Sequence, residues 1–299
     1  MAARFGCVLM AKKSSSRLPV QRTLKMYIGG AFPRTESGRT LTLRNADDSL
    51  RANYCRGSRK DLRGAVEVAR KAQGGWAARA AFNRSQILYR IGEILESRRA
   101  QFERELAEGG MTATAAQREV DEAIDTWVYY AGWADKVQQV FGSINPVSSA
   151  HFTFSALEPS GVVFLAAPDA PSLSGLAATL APLICGGNTV IVLASATDPV
   201  TAISFAEVLN ASDVPGGVVN ILTGNAAEIV PHAAKHMDIN TFVCARSNDV
   251  DAAALEIASA DNMKRFVRVS AADLKAAQRS PYAILDGLEV KTTWHPIGL

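Results

Sequence analysis

Short apolar runs of strand length alternate with helix-like runs between Gly161 and Ser270, and this alternation constrains the fold more than any other feature. Apolar strands separated by helices are typical of parallel β-α-β units whose sheet is covered on both faces. The sequence therefore predicts an α/β fold with a doubly wound, mostly parallel sheet. The predicted strands are Val162–Ala167, Thr189–Leu193, Val218–Leu222, Thr241–Cys244 and Phe266–Val269. The predicted helices are about Ser172–Ile184, Pro199–Leu209, Ala226–Lys235 and Val250–Ala258.

A helical pattern precedes this zone and ends near Gly142. A capping-box signature at Ser58–Asp61 begins the first helix, and we expect Gly74-Gly75 to interrupt it. The second predicted helix begins near Asn83, and the third covers about Ala115–Phe141. Four aromatic residues of the third helix recur at helical spacing, which favours core packing over an aromatic ligand site. They are Trp127, Tyr129, Tyr130 and Trp133.

Two short segments follow the sheet. Ala271–Pro281 is polar and indicates a connector. Leu288–Trp294 alternates with β-branched and aromatic residues, which predicts a strand. No hairpin partner lies beside this strand in the sequence. Because an unpaired edge strand favours aggregation, we expect it to pair with a distant segment or with another chain.

Composition and charge exclude several classes of protein. The 299 residues are 48% hydrophobic and 20% charged, as in an ordinary globular protein rather than a disordered or membrane protein. The net charge is +3, but seven cations precede the first acidic residue, Glu36, so the remainder carries 3 − 7 = −4. That remainder lacks the basic face of a nucleic-acid-binding protein. No apolar run approaches the roughly 20 residues of a membrane helix.

The basic start of the chain and its cysteines bear on location. Residues 1–24 are predicted to be a flexible basic tail, with Met10 as an alternative start. Ser14-Ser15-Ser16 among basic residues is also compatible with a transit peptide. The four cysteines lie far apart and form no Cys-x-x-Cys pair, which favours a reducing cytoplasm over a disulfide framework.

The loops after the predicted strands are the places to search for chemistry, because ligands of such sheets bind at the carboxyl ends of strands. These loops begin at Pro168, Ala194, Thr223 and Ala245, and none contains the Gly-x-Gly-x-x-Gly phosphate cradle. Cys244 is the best-placed nucleophile. Arg246 could stabilise its thiolate, but no His or Glu follows at suggestive spacing, so we predict an inert thiol.

Other candidate groups are interpreted structurally. Cys185 lies on the apolar face of a helix and is predicted to be core. His232 and His236 are four residues apart, a spacing that can hold a metal on one helix face, but no third ligand accompanies them. Asp169 is a loop acid, and Asp198 precedes a proline, as a helix N-cap does.

Five stretches of the sequence resemble motifs of the aldehyde dehydrogenase family, in that family's order and over nearly the whole chain after Lys25. They are Met26–Gly30, Leu157–Val163, Leu180–Val190, Val214–Gly224 and Glu289–Trp294. The opening from Arg17 to Arg39 is similar to the branch of the family whose long members fuse an active dehydrogenase to a second, degenerate unit. The resemblance implies a Rossmann-like cofactor domain with an N-terminal helical layer and a separate oligomerisation β-element.

The same resemblance implies that the family's reactive groups have been replaced. The asparagine that helps to hold the oxyanion falls at Ala170, and the ribose-binding Lys and Glu fall at Leu193 and Ala196. The pyrophosphate turn corresponds to Phe242–Ala245, and the general-base motif is best matched by Val269–Asp273. The family's catalytic domain, with its nucleophilic cysteine, lies between the last cofactor-domain strand and the closing strand, where this sequence has only a connector.

The resemblance divides the chain and locates a vestigial site. The predicted parts are a tail (1–24), a helical part of the cofactor-type domain (25–144), oligomerisation strands (145–159), a Rossmann-like part (160–271), and a connector with a closing strand (272–299). No catalytic residue, no metal and no cofactor are expected; the cofactor would be NAD(P) if any bound. The positions that match the family's cofactor site are Pro168, Leu193, Gly224 and Ala245.

The functional hypothesis is a non-catalytic scaffold or regulatory subunit that associates with an active aldehyde dehydrogenase, or with itself, in the cytoplasm. In the family the closing strand and the stretch matching His151–Glu158 form an oligomerisation element, so Leu288–Trp294 is the expected contact. Neither nucleic acid nor membrane is expected as a partner. Two alternatives remain: an NAD(P)-dependent oxidoreductase that converts an aldehyde to a carboxylic acid, and a nucleotide-binding sensor without turnover.

Overall fold

The computed structural model describes residues 20, 22–246 and 250–298, so most of the predicted tail lies outside the described residues. The strands are β1 (Thr23–Leu24), β2 (Thr40–Arg44), β3 (Leu50–Cys55), β4 (Ser143–Asn145), β5 (His151–Pro159), β6 (Val162–Ala166), β7 (Thr189–Leu193), β8 (Val219–Leu222), β9 (Thr241–Cys244), β10 (Arg265–Arg268) and β11 (Leu288–Pro296). The helices are α1 (Arg59–Ala77), α2 (Ala81–Ser97), α3 (Arg99–Glu108), α4 (Ala113–Trp133), α5 (Val137–Phe141), α6 (Ser174–Cys185), α7 (Pro199–Asn210), α8 (Ala226–Ala234), α9 (Ala252–Ala260) and α10 (Ala271–Ala277), with a 3-10 helix at Pro281–Gly287.

A five-stranded parallel sheet forms the centre, in the order β10-β9-β6-β7-β8. Every residue of β6, β7, β8 and β9 is buried, as continuous apolar strands predict. The chain runs from β6 through β7 to β8 on one side and then returns to β9 and β10 on the other. The predicted doubly wound parallel sheet is therefore confirmed.

The two faces of this sheet contribute to two separate hydrophobic cores. Val163 and Leu165 of β6 belong to one core, together with apolar residues of α2, α4, α6 and α7. Val162 and Phe164 belong to the other core, with residues of α1, α8 and α9. Alternate side chains of a strand point to opposite faces, so helices cover the sheet on both sides. None of the described helices combines the length and apolarity needed to cross a bilayer.

The predicted interruption of the first helix is wrong, because α1 continues through Gly74 and Gly75 to Ala77. Its start is the predicted capping box between Ser58 and Asp61. Trp76 is 1% exposed, and its indole N–H donates a hydrogen bond to the Ile184 carbonyl at 3.0 Å. Packing of this side chain outweighs the roughly 1 kcal/mol that each glycine costs a helix relative to alanine.

The third predicted helix is two helices, α4 and α5, separated by a turn. The interpretation of its aromatic residues as core is confirmed for Trp127 and Tyr130, which are fully buried. The Trp127 ring stacks on Phe205 of α7, with centroids 5.4 Å apart. A three-stranded sheet in the order β1-β3-β2 precedes these helices and was not predicted.

A second three-stranded sheet has the order β11-β5-β4. Strand β11 pairs antiparallel with β5 over its whole length, from Leu288 opposite Pro159 to Pro296 opposite His151. The predicted closing strand is thus confirmed, and its partner is a distant segment of the same chain. The opposite edge of β11 has no strand beside it among the described residues.

The segment predicted as a polar connector is helical. Residues 271–277 form α10, whose N-cap Ser270 makes a reciprocal capping box with Asp273. The Tyr130 hydroxyl donates to the carbonyls of Ala277 and Ser280, the latter at 2.9 Å. Burial raises the pKa of Tyr130, so the hydroxyl remains a hydrogen-bond donor. The path from β10 to β11 is therefore held against α4.

Asn188, in the turn between α6 and β7, links the central sheet to the closing segment. Its side-chain Oδ1 accepts a hydrogen bond from the Gly161 N–H at 3.0 Å. Its Nδ2 donates to the carbonyl of Leu183 at 3.0 Å and to that of Gly287 at 2.9 Å. The residue is fully buried. Its removal would leave the buried Gly161 N–H without this acceptor. The Leu183 and Gly287 carbonyls would each lose one of two donors, since they also accept from the backbone N–H groups of Asn188 and Ser160.

We expect Asn188→Ala to lower the free energy of unfolding by about 2–3 kcal/mol, because the unpaired Gly161 N–H costs about 1–3 kcal/mol and two further buried hydrogen bonds are lost. The control is Asn225→Ala, which removes an exposed N-cap of α8 and should cost about 1 kcal/mol. Urea unfolding of the three proteins measures both differences. A loss in Asn188→Ala no larger than in the control would contradict the role given to Asn188.

Candidate functional site

The four positions predicted for a cofactor lie at one edge of the central sheet. Ala245 and Pro168 follow the adjacent strands β9 and β6, Leu193 is the last residue of β7, and Gly224 follows β8. The strands are parallel, so their carboxyl ends meet at this edge. Leu193 is fully buried, and Ala245 is also buried. The predicted positions therefore lie together at this edge, but none of the four residues has a polar side chain that could contact a ligand.

Asp169, in the loop after β6, joins this loop to the loop after β7. Its carboxylate Oδ1 accepts hydrogen bonds from the Ser195 hydroxyl and the Ala196 N–H, both at 3.1 Å. The Ser195 oxygen in turn accepts from the backbone N–H of Thr197 at 3.1 Å and of Asp198 at 3.2 Å. The polar groups of the two loops therefore form hydrogen bonds within and between the loops.

Arg246, directly after β9, extends across the same edge, and its side chain is completely buried. Its Nε donates to the Ala167 carbonyl at 2.8 Å, and its Nη2 donates to the Ala194 carbonyl. The same Nη2 lies 3.5 Å from Oδ1 of Asp169. Sequence reasoning considered Arg246 only as a neighbour of Cys244. A charged residue immediately after an apolar strand was the available signal, but its partners depend on the order of the strands in the sheet, which was not predicted.

The end of β8 is covered by the segment that leads into α1. The Gly57 N–H donates to the Thr223 carbonyl at 2.8 Å, and the Thr223 hydroxyl donates to the Cys55 carbonyl at 2.8 Å. Gly224 has a φ of +151°, and a Cβ there would come within 2.9 Å of the Gly57 nitrogen. Glycine is therefore required at position 224 by this close approach, which accounts for it without a ligand.

An apolar cavity of about 380 Å³, open to solvent, lies between helices α8 and α9. Most of its lining is aliphatic, and Lys235 and Asp251 supply the charged groups. A cavity of this size and character can accept a small flat ring. The aliphatic lining residues include Ala226, Val230, Pro231, Val250 and Leu255.

Cys244, the candidate nucleophile predicted to be inert, and Cys185, predicted to be core, are both buried. Cys244 is 3% exposed, and its thiol donates to the Arg246 carbonyl at 3.5 Å. Cys185 is fully buried in the core, as predicted, and burial raises the pKa of its thiol to about 12. A thiol with that pKa is protonated at neutral pH, whereas the nucleophile is the thiolate.

The two histidines do not share a helix. Helix α8 ends at Ala234, so His236 lies beyond it, and the expectation of one common helix face is wrong. The Nδ1 of His236 accepts the Asp238 N–H at 3.2 Å, and burial lowers the pKa of His236. Within the described residues, no three metal-ligating side chains come together.

Asp198 has the predicted structural role and a second partner. Its carboxylate caps α7 by accepting the Thr201 N–H and, at 2.7 Å, the Thr201 hydroxyl. Arg51 of β3 lies 3.4 Å from this carboxylate, and both side chains are largely buried. The ion pair joins the N-terminal sheet to the start of α7, so the Asp198 carboxylate has a structural role.

Glu119 of α4 is a buried carboxylate that the sequence analysis missed. Its Oε1 accepts the Leu173 N–H at 2.7 Å, just before α6 begins. Burial raises the pKa of this carboxyl group, because desolvation disfavours its charged form. The contact fixes the end of the loop that follows β6, which is the loop that carries Asp169.

Comparison with known proteins identifies the family. The model of the aldehyde dehydrogenase family matches residues 34–271. Aldehyde dehydrogenase, cytosolic 1 of Elephantulus edwardii is 31% identical over 257 residues, covering 84% of this chain and 50% of the relative. Cytosolic 10-formyltetrahydrofolate dehydrogenase of Mus musculus is 29% identical over 273 residues, covering 87% and 30%. The chain therefore spans half or less of the length of these relatives.

Solved structures agree on the fold. An aldehyde dehydrogenase from Bacillus cereus, solved as its NAD+ complex, superposes with a TM-score of 0.79 at 24% identity, covering 83% of this chain and 51% of that one. Betaine aldehyde dehydrogenase from Staphylococcus aureus, also in complex with NAD+, gives a TM-score of 0.77 at 20% identity, covering 82% and 50%. The family match and these superpositions lead to one conclusion: the chain belongs to the aldehyde dehydrogenase family.

Proposed function

We propose that this chain is a non-catalytic member of the family, a scaffold or regulatory subunit that associates through β11 with an active aldehyde dehydrogenase subunit or with a second copy of itself. The observation that carries this proposal is the open outer edge of β11. A nine-residue strand whose outer edge has no strand beside it in the described part of the chain is a ready template for a strand from another chain.

The hydrogen-bond register defines this edge. The Ile297 N–H donates to the Ala150 carbonyl directly opposite, and the Ser160 N–H donates to the Gly287 carbonyl. Bonded and non-bonded pairs alternate along an antiparallel ladder. The odd-numbered residues of β11 therefore bond to β5, whereas residues 290, 292 and 294 direct their backbone N–H and carbonyl groups outwards.

The β11-β5-β4 sheet also exposes apolar side chains of the kind found at protein–protein contacts. Val290 and Trp294 of β11 are 65% and 57% exposed. On the opposite face, Phe152 and Phe154 lie with ring centroids 5.9 Å apart, and Ile144 stands opposite Phe154. Exposed apolar and aromatic residues gathered on a small sheet are typical of protein–protein contacts.

The absence of catalysis is supported by the burial of the thiols and by the substitutions at the matched positions. Cys55, Cys185 and Cys244 are all at most 3% exposed. The path from β10 to β11 consists of residues 269–287 alone, which form α10 and the 3-10 helix. We also propose a reducing, cytoplasmic location, which the spacing of the cysteines favours.

Two other functions are alternatives. NAD(P)-dependent oxidation of an aldehyde is what family membership by itself suggests, but function depends on the site rather than the fold. A nucleotide-binding sensor without turnover is favoured by one observation, the apolar cavity between α8 and α9. Titration of the purified chain with NAD+ and NADP+ separates a sensor from a scaffold.

The first prediction of this proposal concerns the thiols. Iodoacetamide should leave Cys55, Cys185 and Cys244 unmodified in the folded protein at pH 8, because they are buried and because the raised pKa of Cys185 keeps it protonated. Peptide mapping by mass spectrometry, with urea-unfolded protein as the positive control, measures the modification. The same preparation should reduce no NAD+ or NADP+ with aliphatic or aromatic aldehydes. Turnover together with rapid alkylation of Cys244 would refute the non-catalytic proposal.

The second prediction concerns assembly. Thr292→Pro removes an outward N–H that β5 does not use, so it should leave the fold intact and weaken association at least about tenfold. Thr292→Ala is the matched control: it removes the same hydroxyl, which bonds to Ser155 at 2.8 Å, but keeps the N–H. Light scattering and native mass spectrometry, with and without a full-length dehydrogenase from the same host, measure assembly. A wild-type chain that remains a lone monomer in both mixtures would contradict the proposal.

A further inference from the structure

We propose that Arg246 is an internal occupant of the crevice at which sheets of this kind bind nucleotides, and that it excludes NAD+ and NADP+ from this chain. The inference deepens the proposed function and rests on it for the absence of turnover. It concerns binding, however, and its test does not depend on assembly through β11.

The position of the crevice follows from the strand order. Strand β6 has β7 on one side and β9 on the other, and the chain winds away from β6 in both directions. In open parallel sheets, the ligand binds outside the carboxyl ends of the strands at this reversal of order. Arg246 follows β9, and its guanidinium reaches the carbonyls after β6 and β7, so it crosses the reversal point.

The hydrogen-bond acceptors that could bind a ligand in this crevice already have donors within the protein. The Ala167 and Ala194 carbonyls accept from Arg246, and the Asp169 carboxylate accepts from Ser195 and Ala196. Asp169 also lies 3.5 Å from the guanidinium. A dinucleotide would therefore have to displace a buried arginine and leave these acceptors without donors, and it would place its phosphates beside a carboxylate.

The charge of Arg246 by itself would predict that the arginine favours nucleotide binding. An arginine near a phosphate site normally favours an anion, and its removal should weaken NAD+ binding. In this crevice the guanidinium is turned inwards, with no exposed surface, towards main-chain carbonyls and a carboxylate. Removal of the side chain therefore opens space in the crevice but also removes a positive charge. Tighter nucleotide binding by such a variant would have to come from the added space.

The test compares Arg246→Ala with Arg246→Met in the full chain. Alanine opens the crevice, whereas methionine retains most of the side-chain length without a donor. Isothermal titration with NAD+ and with NADP+ should show saturable binding to the alanine variant, at least about tenfold tighter than to the wild type or the methionine variant. Saturating NAD+ should raise the melting temperature of the alanine variant only.

Arg268→Ala is the control for loss of a cation. Arg268 ends β10, and its exposed guanidinium pairs with Glu256 of α9 rather than with the carbonyls after β6 and β7, so its replacement should produce no binding. Arg246→Gln, a shorter side chain that retains a donor, replaces the alanine variant if that variant does not fold. Failure of the folded opened variant to bind either nucleotide would overturn the inference.

The wild type supplies a test that needs no variant. Micromolar binding of NAD+ or NADP+ to the unmodified chain would overturn the inference, whatever the oligomeric state. Such a chain could still assemble through β11, which would leave the scaffold proposal standing. A wild type that neither binds nucleotide nor assembles would instead count against the scaffold proposal while supporting the role of Arg246.

Discussion

The hydrogen bonds of Asn188 connect parts of the molecule that are far apart in sequence. One amide group satisfies the start of β6, the end of α6 and the segment that leads into β11. An apolar side chain could not replace it without cost, because the buried Gly161 N–H would lose its acceptor and two buried carbonyls would each lose one of two donors. The amide of this residue therefore helps to fix the small sheet against the central sheet, together with the Ser160 N–H that donates to the Gly287 carbonyl.

The central sheet could be predicted from the sequence because its strands are buried on both faces. The run from Val162 to Ala166 has no polar interruption, and the same holds for Thr241–Cys244 apart from its first residue. The exposed hairpin of β2 and β3 gives a weaker signal, since only part of it packs on the core. The helix through Gly74 and Gly75 was missed because a distant contact of Trp76 decides it.

The sequence predicted where the candidate site lies, but not the hydrogen bonds that its side chains form. The carboxyl ends of parallel strands meet at one edge, so the loops that begin at Pro168, Ala194 and Ala245 followed from the strand assignments. Leu193 was added by the family resemblance. The partners of Arg246 did not follow, because its acceptors are main-chain carbonyls that carry no residue-type signal. Glu119 escaped notice for the same reason: it accepts from a backbone N–H more than fifty positions away.

The pairing of β5 with β11 has a consequence for how the chain is made. Pro159 lies opposite Leu288, so the whole central sheet is translated between the two partners. During synthesis β5 leaves the ribosome with one side of its ladder unfilled, and it remains so until β11 emerges. A strand from a neighbouring nascent chain can compete for that side, as in domain exchange between identical subunits. The order of translation thus creates an interval in which assembly between chains and folding within one chain compete for the same backbone groups.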